Sequence, residues 1–442
     1  MFRHLPMRLI HIIMAKEIVI IGGGFAGVNL AEKLANKDGI HVTIVDKNNY
    51  HFFPPLLYQV ATGFLEVSNI TYPFRKLFSG KKNISFRMGS LEKIIPEEKR
   101  IILNNGQLAY DELVIATGTE SNYFGLDNVK KYGVPMKTID DAVNLRNTVL
   151  LRTEEATRME DPDERAKLTT IVIAGGGPTG VELAGMLSQI KKNIFTKEYP
   201  ELATHDVTIY LVDALDVVLA PMSKKSQQYT YDSLVKMGVK VMLGKQVKDY
   251  VDDTVIFADG TKIPTKMLIW TAGVSAKTFE GIPEASYGRG KRLLVNEYNQ
   301  VNNLPNVYAI GDTCLQTTDK GWEKGHPQVA QVAIQQGKNL AKNFIAMTEN
   351  KNLTPFSYYD KGSMAIIGRR RAVAELPKPK LFIKGFIAWA AWLFVHLFSL
   401  VNIRNKIKTF FNWMISLLSN DQSMRVIVRP NIVQKVSESS DK

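Results

Sequence analysis

The sequence carries one glycine-rich strand-to-helix signature twice, and this duplication limits the available folds more than any other feature. Lys16–Ile21 is an apolar run followed by Gly22-Gly23-Gly24-Phe25-Ala26-Gly27 and a helix-forming stretch to Leu34. Thr170–Ala174 is a second such run, 153 residues on, followed by Gly175-Gly176-Gly177-Pro178-Thr179-Gly180 and a helix-forming stretch to about Ile190. Each half then holds a hairpin signal, Asn105-Gly106 and Asp259-Gly260, 154 residues apart. Each hairpin leads to an apolar strand ending in small residues, Leu113–Gly118 and Leu268–Gly273, whose final glycines are 155 apart. Four features in one order at nearly constant spacing mark an internal repeat.

Both copies read G-x-G-x-x-G at a strand-to-helix turn. The first glycine permits the tight turn, the second lets a pyrophosphate approach the backbone, and the third lets helix and strand pack closely. The helix N-terminus adds free N–H groups and a positive dipole end. An acid closes the next strand in each copy, Asp46 after His41–Val45 and Asp213 after Val207–Val212. That is the place from which a carboxylate binds ribose hydroxyls. The expected fold is therefore α/β, with two Rossmann-like dinucleotide-binding domains, each with a β-meander insertion. Two dinucleotide sites in one chain imply an electron relay between a bound flavin (FAD, non-covalent) and a nicotinamide dinucleotide. A carboxylate at Asp213 repels a 2′-phosphate and no Arg immediately follows it, which selects NADH. A further block, Asn306–Asp312, reads as a strand ending in Gly311-Asp312. Asp312 is placed either to meet the ribityl or phosphate region of FAD or to cap a helix.

The lone cysteine, Cys314, excludes a disulfide framework, a cysteine zinc site, an iron–sulfur cluster and a redox cysteine pair; it reads as a packing residue, and no metal site is expected. The net charge of +13 is concentrated at one end. Residues 361–442 hold 14 Lys+Arg and 4 Asp+Glu, a net of +10, whereas the first 360 hold 42 and 39. Within that basic region, Gly385–Ile403 has no Asp, Glu, Lys or Arg and carries Trp389, Trp392, Phe394 and Phe398. Basic residues flank it, and a second apolar group, Phe410 to Leu418, follows. This combination points to an amphipathic helical segment lying on an anionic membrane surface. A spanning helix and a soluble helical hairpin at a dimer interface are the competing readings. Interleaved bulky apolar residues speak against nucleic acid. Residues 1–13 lack a convincing signal-peptide core and read as an N-terminal extension of a cytoplasmic protein.

Three stretches resemble the type II NADH:quinone oxidoreductases, single-subunit NADH dehydrogenases that do not pump protons. They are Asp46-x-x-Asn49-Tyr50-His51-x-Phe53-x-Pro55-Leu56-Leu57-Tyr58-Gln59-Val60-Ala61; Ala330-Gln331-Val332-Ala333-Ile334-Gln335-Gln336-Gly337; and Lys384-Gly385-Phe386 followed by Trp389, Trp392 and His396-Leu397. The resemblance runs from about Lys16 to Leu418. It implies hydride transfer from NADH to flavin N5, then two-electron reduction of a quinone of menaquinone or ubiquinone type, by a homodimer peripheral to the cytoplasmic face of the inner membrane. It assigns FAD to Gly22, Gly24, Phe25, Ala26, Gly27, Asp46, Lys47, Ala116, Thr117, Gly118, Gly311, Asp312, Ala330 and Gln331. NADH falls to Gly175, Gly177, Pro178, Thr179, Gly180, Glu182, Asp213, Ala272 and Gly273. Gln331 and Gln335, four apart and so on one helix face, are placed by quinone and flavin. Glu182, read as lying in the first turn of the second glycine-loop helix, is implied in proton or charge coupling, and Lys384 is implied to join that polar group. The family commonly has Glu where Asp213 stands. The corresponding domains are an extension at 1–13, an FAD-binding domain at 14–122 and 277–345, an NADH-binding domain at 123–276, and a membrane-anchoring region with a disordered tail at 346–442. The rivals are a soluble-acceptor NAD(P)H oxidoreductase of the ferredoxin reductase or apoptosis-inducing-factor type, and a membrane-attached redox sensor that binds FAD and NADH.

Overall fold

The computed structural model describes residues 15–202, 207–419 and 426–427. The N-terminal extension and nearly all of the tail expected from the sequence lie outside the described residues. The chain forms two compact units. The first takes the residues up to Phe52, Thr71–Glu120 and Val274–Lys361; the second takes Phe53–Ile70, Ser121–Gly273 and the residues from Gly362 on.

In the first unit a five-stranded parallel sheet has the order Val307–Ala309, Glu112–Ile115, Lys16–Ile21, Ile40–Asp46, Ile84–Met88. The central strand Lys16–Ile21 is apolar on both faces from Ile18 on, because both faces are covered there. Ile18 and Ile20 enter one core with Leu30, Leu34 and Phe344; Val19 and Ile21 enter another with Ile94, Ile101 and Leu103. The latter three belong to an antiparallel meander, Leu91–Ile95, Arg100–Leu103 and Gly106–Ala109. Helices Phe25–Leu34 and Ala330–Thr348 pack so closely that a Cβ on Gly337 would lie 2.5 Å from the Ala26 carbonyl oxygen.

The second unit repeats the plan. Its parallel sheet has the order Val134–Pro135, Leu268–Trp270, Thr170–Ala174, Thr208–Val212, Lys240–Met242. Its meander is Val247–Val251, Thr254–Phe257 and Lys262–Pro264. The duplicated α/β fold with a meander in each copy is thus present as the repeat predicts. In the first copy the two-residue turn is Asn104-Asn105, and Gly106 opens the returning strand.

The C-terminal part differs from a purely helical anchor. An antiparallel sheet of Ser363–Gly368, Arg371–Leu376 and Leu381–Lys384 comes first. The helices Gly385–Ser399 and Ile403–Ser419 follow. The hairpin between the first two strands has no glycine at its tip; Arg370 takes the left-handed conformation, φ +60°, so no turn signal marks it in the sequence. This sheet sits on the second glycine-loop helix, Pro178–Ile190, through backbone. A Cβ on Gly185 would lie 1.6 Å from the Ile367 carbonyl oxygen. Trp389 and Trp392 are buried, while Phe386, Ile387, Phe394 and Phe398 on the same helix are exposed. On the next helix Ile407, Phe411, Ile415 and Leu418 are exposed and Trp413 is buried. Among the described residues no helix is long and apolar enough to cross a membrane.

Replacing Gly185 by Ala should destabilise the fold by about 2 kcal/mol through overpacking, despite the ~1 kcal/mol that Ala gains over Gly in a helix. Near-ultraviolet circular dichroism through thermal unfolding measures this; an unchanged midpoint would refute the close approach.

Candidate functional site

The two glycine loops are built alike, and within each the three glycines divide their work. Gly22 and Gly175 sit at φ +104° and +116°, where a Cβ would strike the backbone of Ala116 and of Thr271. A Cβ on Gly27 would lie 2.0 Å from the Gly22 carbonyl oxygen, and one on Gly180 1.8 Å from that of Gly175. Those four are fixed by the fold itself. Gly24 and Gly177 are different. Both have ordinary negative φ, and a Cβ on either meets no protein atom within 4 Å. Nothing in the chain requires glycine there, so the missing side chain leaves room for something outside the chain. A dinucleotide pyrophosphate at the helix N-terminus fits that space. Pro178 and Thr179 open the second helix, exposed, with Pro at its favoured first position.

The strand-ending acids bind their own loops. The Asp46 carboxylate accepts the Gly23 N–H at 2.7 Å and the Asn48 N–H at 2.8 Å. The Asp213 carboxylate accepts the Gly176 N–H, and the Leu215 N–H at 2.7 Å. Each oxygen keeps one lone-pair direction for a ribose hydroxyl. Burial raises the Asp46 pKa, opposed by those two N–H groups and by Lys47. Beside the first loop, Thr117 has a buried hydroxyl with no protein partner, and Gly118 has φ +66° with open space at its Cβ position. Phe25 meets the His51 ring edge-on at 5.8 Å. His51 is buried; its Nδ1 lies 2.9 Å from the Gly23 carbonyl and its Nε2 has no partner. The orphaned Thr hydroxyl can donate, and the orphaned imidazole Nε2 accepts because Nδ1 carries the proton toward the Gly23 carbonyl; both are partners of the kind a polar flavin would satisfy. In the second unit Ala272 is exposed, and the Phe124 ring lies over Gly273, where a Cβ would come within 2.5 Å of it.

The paired-glutamine helix shows which of its amides does what. Gln336 is fully buried; its Oε1 accepts the Gly311 N–H at 2.7 Å and its Nε2 lies 3.2 Å from the Cys314 sulfur. It thereby fixes the turn that carries Asp312. Burial pushes the Cys314 thiol up to about 11. Gln335 forms a two-point bond with the Tyr359 backbone: Nε2 donates to the carbonyl at 2.9 Å and Oε1 accepts the N–H at 3.1 Å. Gln331 Oε1 accepts the Lys361 N–H at 3.0 Å. The two glutamines predicted by the quinone motif thus hold the 359–361 strap. Ala330 starts their helix.

In the second unit the helices Gly385–Ser399 and Ile403–Ser419 close a cavity lined mainly by aromatic and apolar side chains. Trp413 Nε1 donates to Gln59 Oε1 at 2.8 Å, and Gln59 Nε2 donates to the Tyr58 hydroxyl at 2.8 Å. Burial raises the Tyr58 pKa well above its usual value, and the nearby Glu182 adds to it. Burial likewise lifts Glu182 well above the carboxylate range; the Ile366 N–H, from the strand seated at Gly185, opposes this. Glu182 stands past the first turn of its helix, which holds no acid, so partnership with the helix dipole does not account for it. Lys384 stands at the N-cap position of Gly385–Ser399, with its Nζ 5.3 Å from the Tyr229 ring centroid.

A model of the pyridine nucleotide-disulphide oxidoreductase family matches residues 16–337, and one of the NDH2 C-terminal domain matches 360–420. The chain is 35% identical to the type II NADH:quinone oxidoreductase Ndh of Mycobacterium tuberculosis, over 93% of this chain and 90% of that one. The chain belongs to the type II NADH:quinone oxidoreductases. The corresponding protein of Haemophilus influenzae is 31% identical, covering 86% of this chain and 92% of the relative. The fold matches that of NDH2 from Plasmodium falciparum, solved in complex with NADH, with a TM-score of 0.85 at 21% identity, over 94% of this chain and all of that one. As a type II oxidoreductase this chain departs from the disulphide branch of its superfamily, since Cys314 has no second cysteine to pair with.

Sequence reasoning did not single out His51, Tyr58, Gln59 and Gln336 as functional. All four lie inside the motifs quoted above, but only packing shows that they are buried and hydrogen-bonded. His396 belongs with them. It stacks on Trp392 at 3.7 Å, its Nδ1–H donates to the Trp392 carbonyl at 2.7 Å, and burial pushes its pKa down to about 4. A depressed imidazole stays neutral in the fold while the unfolded chain takes up a proton, so its contribution is present above the unfolded value near 6.5 and is lost as pH falls toward 4. Wild-type stability should therefore drop between pH 6.5 and 4 more steeply than that of His396→Phe, which keeps the stack. Parallel pH-dependent slopes in urea unfolding of the two proteins would refute this.

Proposed function

We propose that this protein oxidises NADH through bound FAD and reduces a membrane quinone of menaquinone or ubiquinone type to the quinol, without moving protons across the bilayer. The dinucleotide positions follow the glycine loops. Gly22, Gly24, Gly27, Asp46 and Thr117 hold FAD in a domain of residues 14–122 and 277–345, with Gly311 and Asp312. Gly175, Gly177, Gly180 and Asp213 hold NADH in a domain of residues 123–276. FAD, when bound, accepts a hydride and releases its two electrons one substrate later.

The observation that carries the quinone reading is the aromatic cavity with Glu182 near its Tyr58 wall. Quinone reduction consumes two protons. A carboxyl whose pKa is raised by burial supplies one more readily than an ordinary surface carboxylate does. Tyr58, Gln59 and Trp413 offer a hydrogen-bonded polar end to an otherwise apolar chamber, the form that takes a quinone ring and its tail. Gln331 and Gln335 position the 359–361 strap, and Lys384 anchors the first of the apolar helices. The exposed Phe, Ile and Leu residues of both helices dock the region from 346 onward on the membrane, peripherally and on the cytoplasmic side, in a homodimer.

Purified protein mixed with NADH and a soluble quinone should consume NADH in a quinone-dependent manner, followed by its absorbance; flavin-loaded protein with no such activity would sink the proposal. Glu182→Gln should lower quinone turnover by about 100-fold and abolish the wild-type decline in rate as pH rises through the raised Glu182 value, while the fold's melting temperature is unchanged. The open space at Gly24 yields a separate expectation. Gly24→Val should fold normally by circular dichroism yet retain little flavin. Full flavin absorbance per chain would show that the second glycine makes way for no ligand.

A further inference from the structure

A second hollow of the same unit is basic. Lys192, Lys197, Lys236, Arg369, Arg370 and Arg371 line an open cleft of about 730 Å³, and no acidic side chain lines it. Three elements bring these cations together. Lys192 comes from the π-helical segment Lys191–Phe195 that follows Pro178–Ile190, and π-turns are frequent at functional sites. Lys236 ends the helix Lys224–Lys236. The arginines form the tip and return of the 363–376 hairpin. Cations gathered in one concave wall focus a positive field that favours an anion.

The chemistry of the surroundings identifies the anion. Gln189, Asn193 and Arg369 line both this cleft and the aromatic cavity. The Arg369 guanidinium donates to the Leu417 carbonyl at 2.6 Å, beside Leu418, one of the most exposed apolar side chains of the molecule. The basic wall therefore abuts an apolar surface, and its ligand has a charged end and an apolar body. The cleft is at the C-terminal end of the 13-residue helix Pro178–Ile190. At 1.5 Å per residue that is roughly 20 Å from the glycine loop, so phosphates held at the loop do not fill it.

We infer that the cleft binds the headgroup of one anionic phospholipid, whose acyl chains lie over the exposed faces of Gly385–Ser399 and Ile403–Ser419. The inference rests on the membrane-docking reading above and adds to it a discrete, stoichiometric site at the mouth of the aromatic cavity.

The test uses full-length, flavin-loaded protein in non-ionic detergent, with phosphatidylglycerol or phosphatidylcholine added and bound lipid counted by native mass spectrometry. One phosphatidylglycerol per chain is expected, held at least tenfold better than phosphatidylcholine. Lys192→Gln/Lys236→Gln/Arg370→Gln should lose about tenfold of that binding, and Arg370→Gln alone a smaller part, while Arg404→Gln/Lys406→Gln/Lys408→Gln, with the same charge change, stays within about twofold of wild type. Equal binding of the two lipids, or equal loss in both triple variants, would overturn the site in favour of diffuse charge attraction. Displacement of the lipid by millimolar inorganic phosphate would overturn it in favour of a free anion. Flotation with phosphatidylglycerol vesicles separates the two layers of the argument: no flotation of wild type means that the docking reading fails, whereas flotation without a retained lipid means that only the headgroup site fails.

Discussion

A backbone-to-backbone contact organises the second unit. The helix Pro178–Ile190 lacks a side chain at Gly185, and the Ile367 carbonyl occupies that place. With the strand seated there, the Ile366 N–H reaches the Glu182 carboxyl. One turn further along, Met186 and Gln189 become walls of the aromatic cavity, and the arginine hairpin comes to the end of the helix, where Lys192 emerges. A close-packed interior tolerates no extra methyl at such a point. The chemistry of the region thus depends on an atom that is absent.

Much of the architecture was legible because it is written locally. Glycine spacing, apolar strands and a terminal acid are short-range signals, and each recurs at the expected offset. Asp46 and Asp213 were correctly placed at strand ends, but their first partners are the N–H groups of their own glycine loops, a contact that strand-ending position alone does not reveal. The antiparallel sheet at 363–384 went unread because its turn uses Arg370 in a conformation that glycine usually marks. The cavity was illegible for another reason. Its walls come from residues near 60, 190, 368, 390 and 415, and no periodicity links segments so far apart. In the 330–337 motif the spacing correctly puts Gln331 and Gln335 on one face, yet only packing shows that the adjacent Gln336 is the buried one.

Glu182 illustrates how burial and hydrogen bonding compete. Desolvation disfavours a carboxylate, and a single N–H is too little to restore it. Burial therefore shifts Glu182 toward its neutral form, which needs only ordinary hydrogen-bond partners. Tyr58 nearby is held protonated by the same burial.

The hydrogen bond from Trp413 to Gln59 joins residues 354 positions apart. A nascent chain emerges from the ribosome N-terminus first, and early regions fold before late ones appear. Both glycine-loop sheets are then complete in sequence before Trp413 exists to be paired. The exposed apolar side chains of Gly385–Ser399 and Ile403–Ser419 are likewise among the later parts of the chain to be translated.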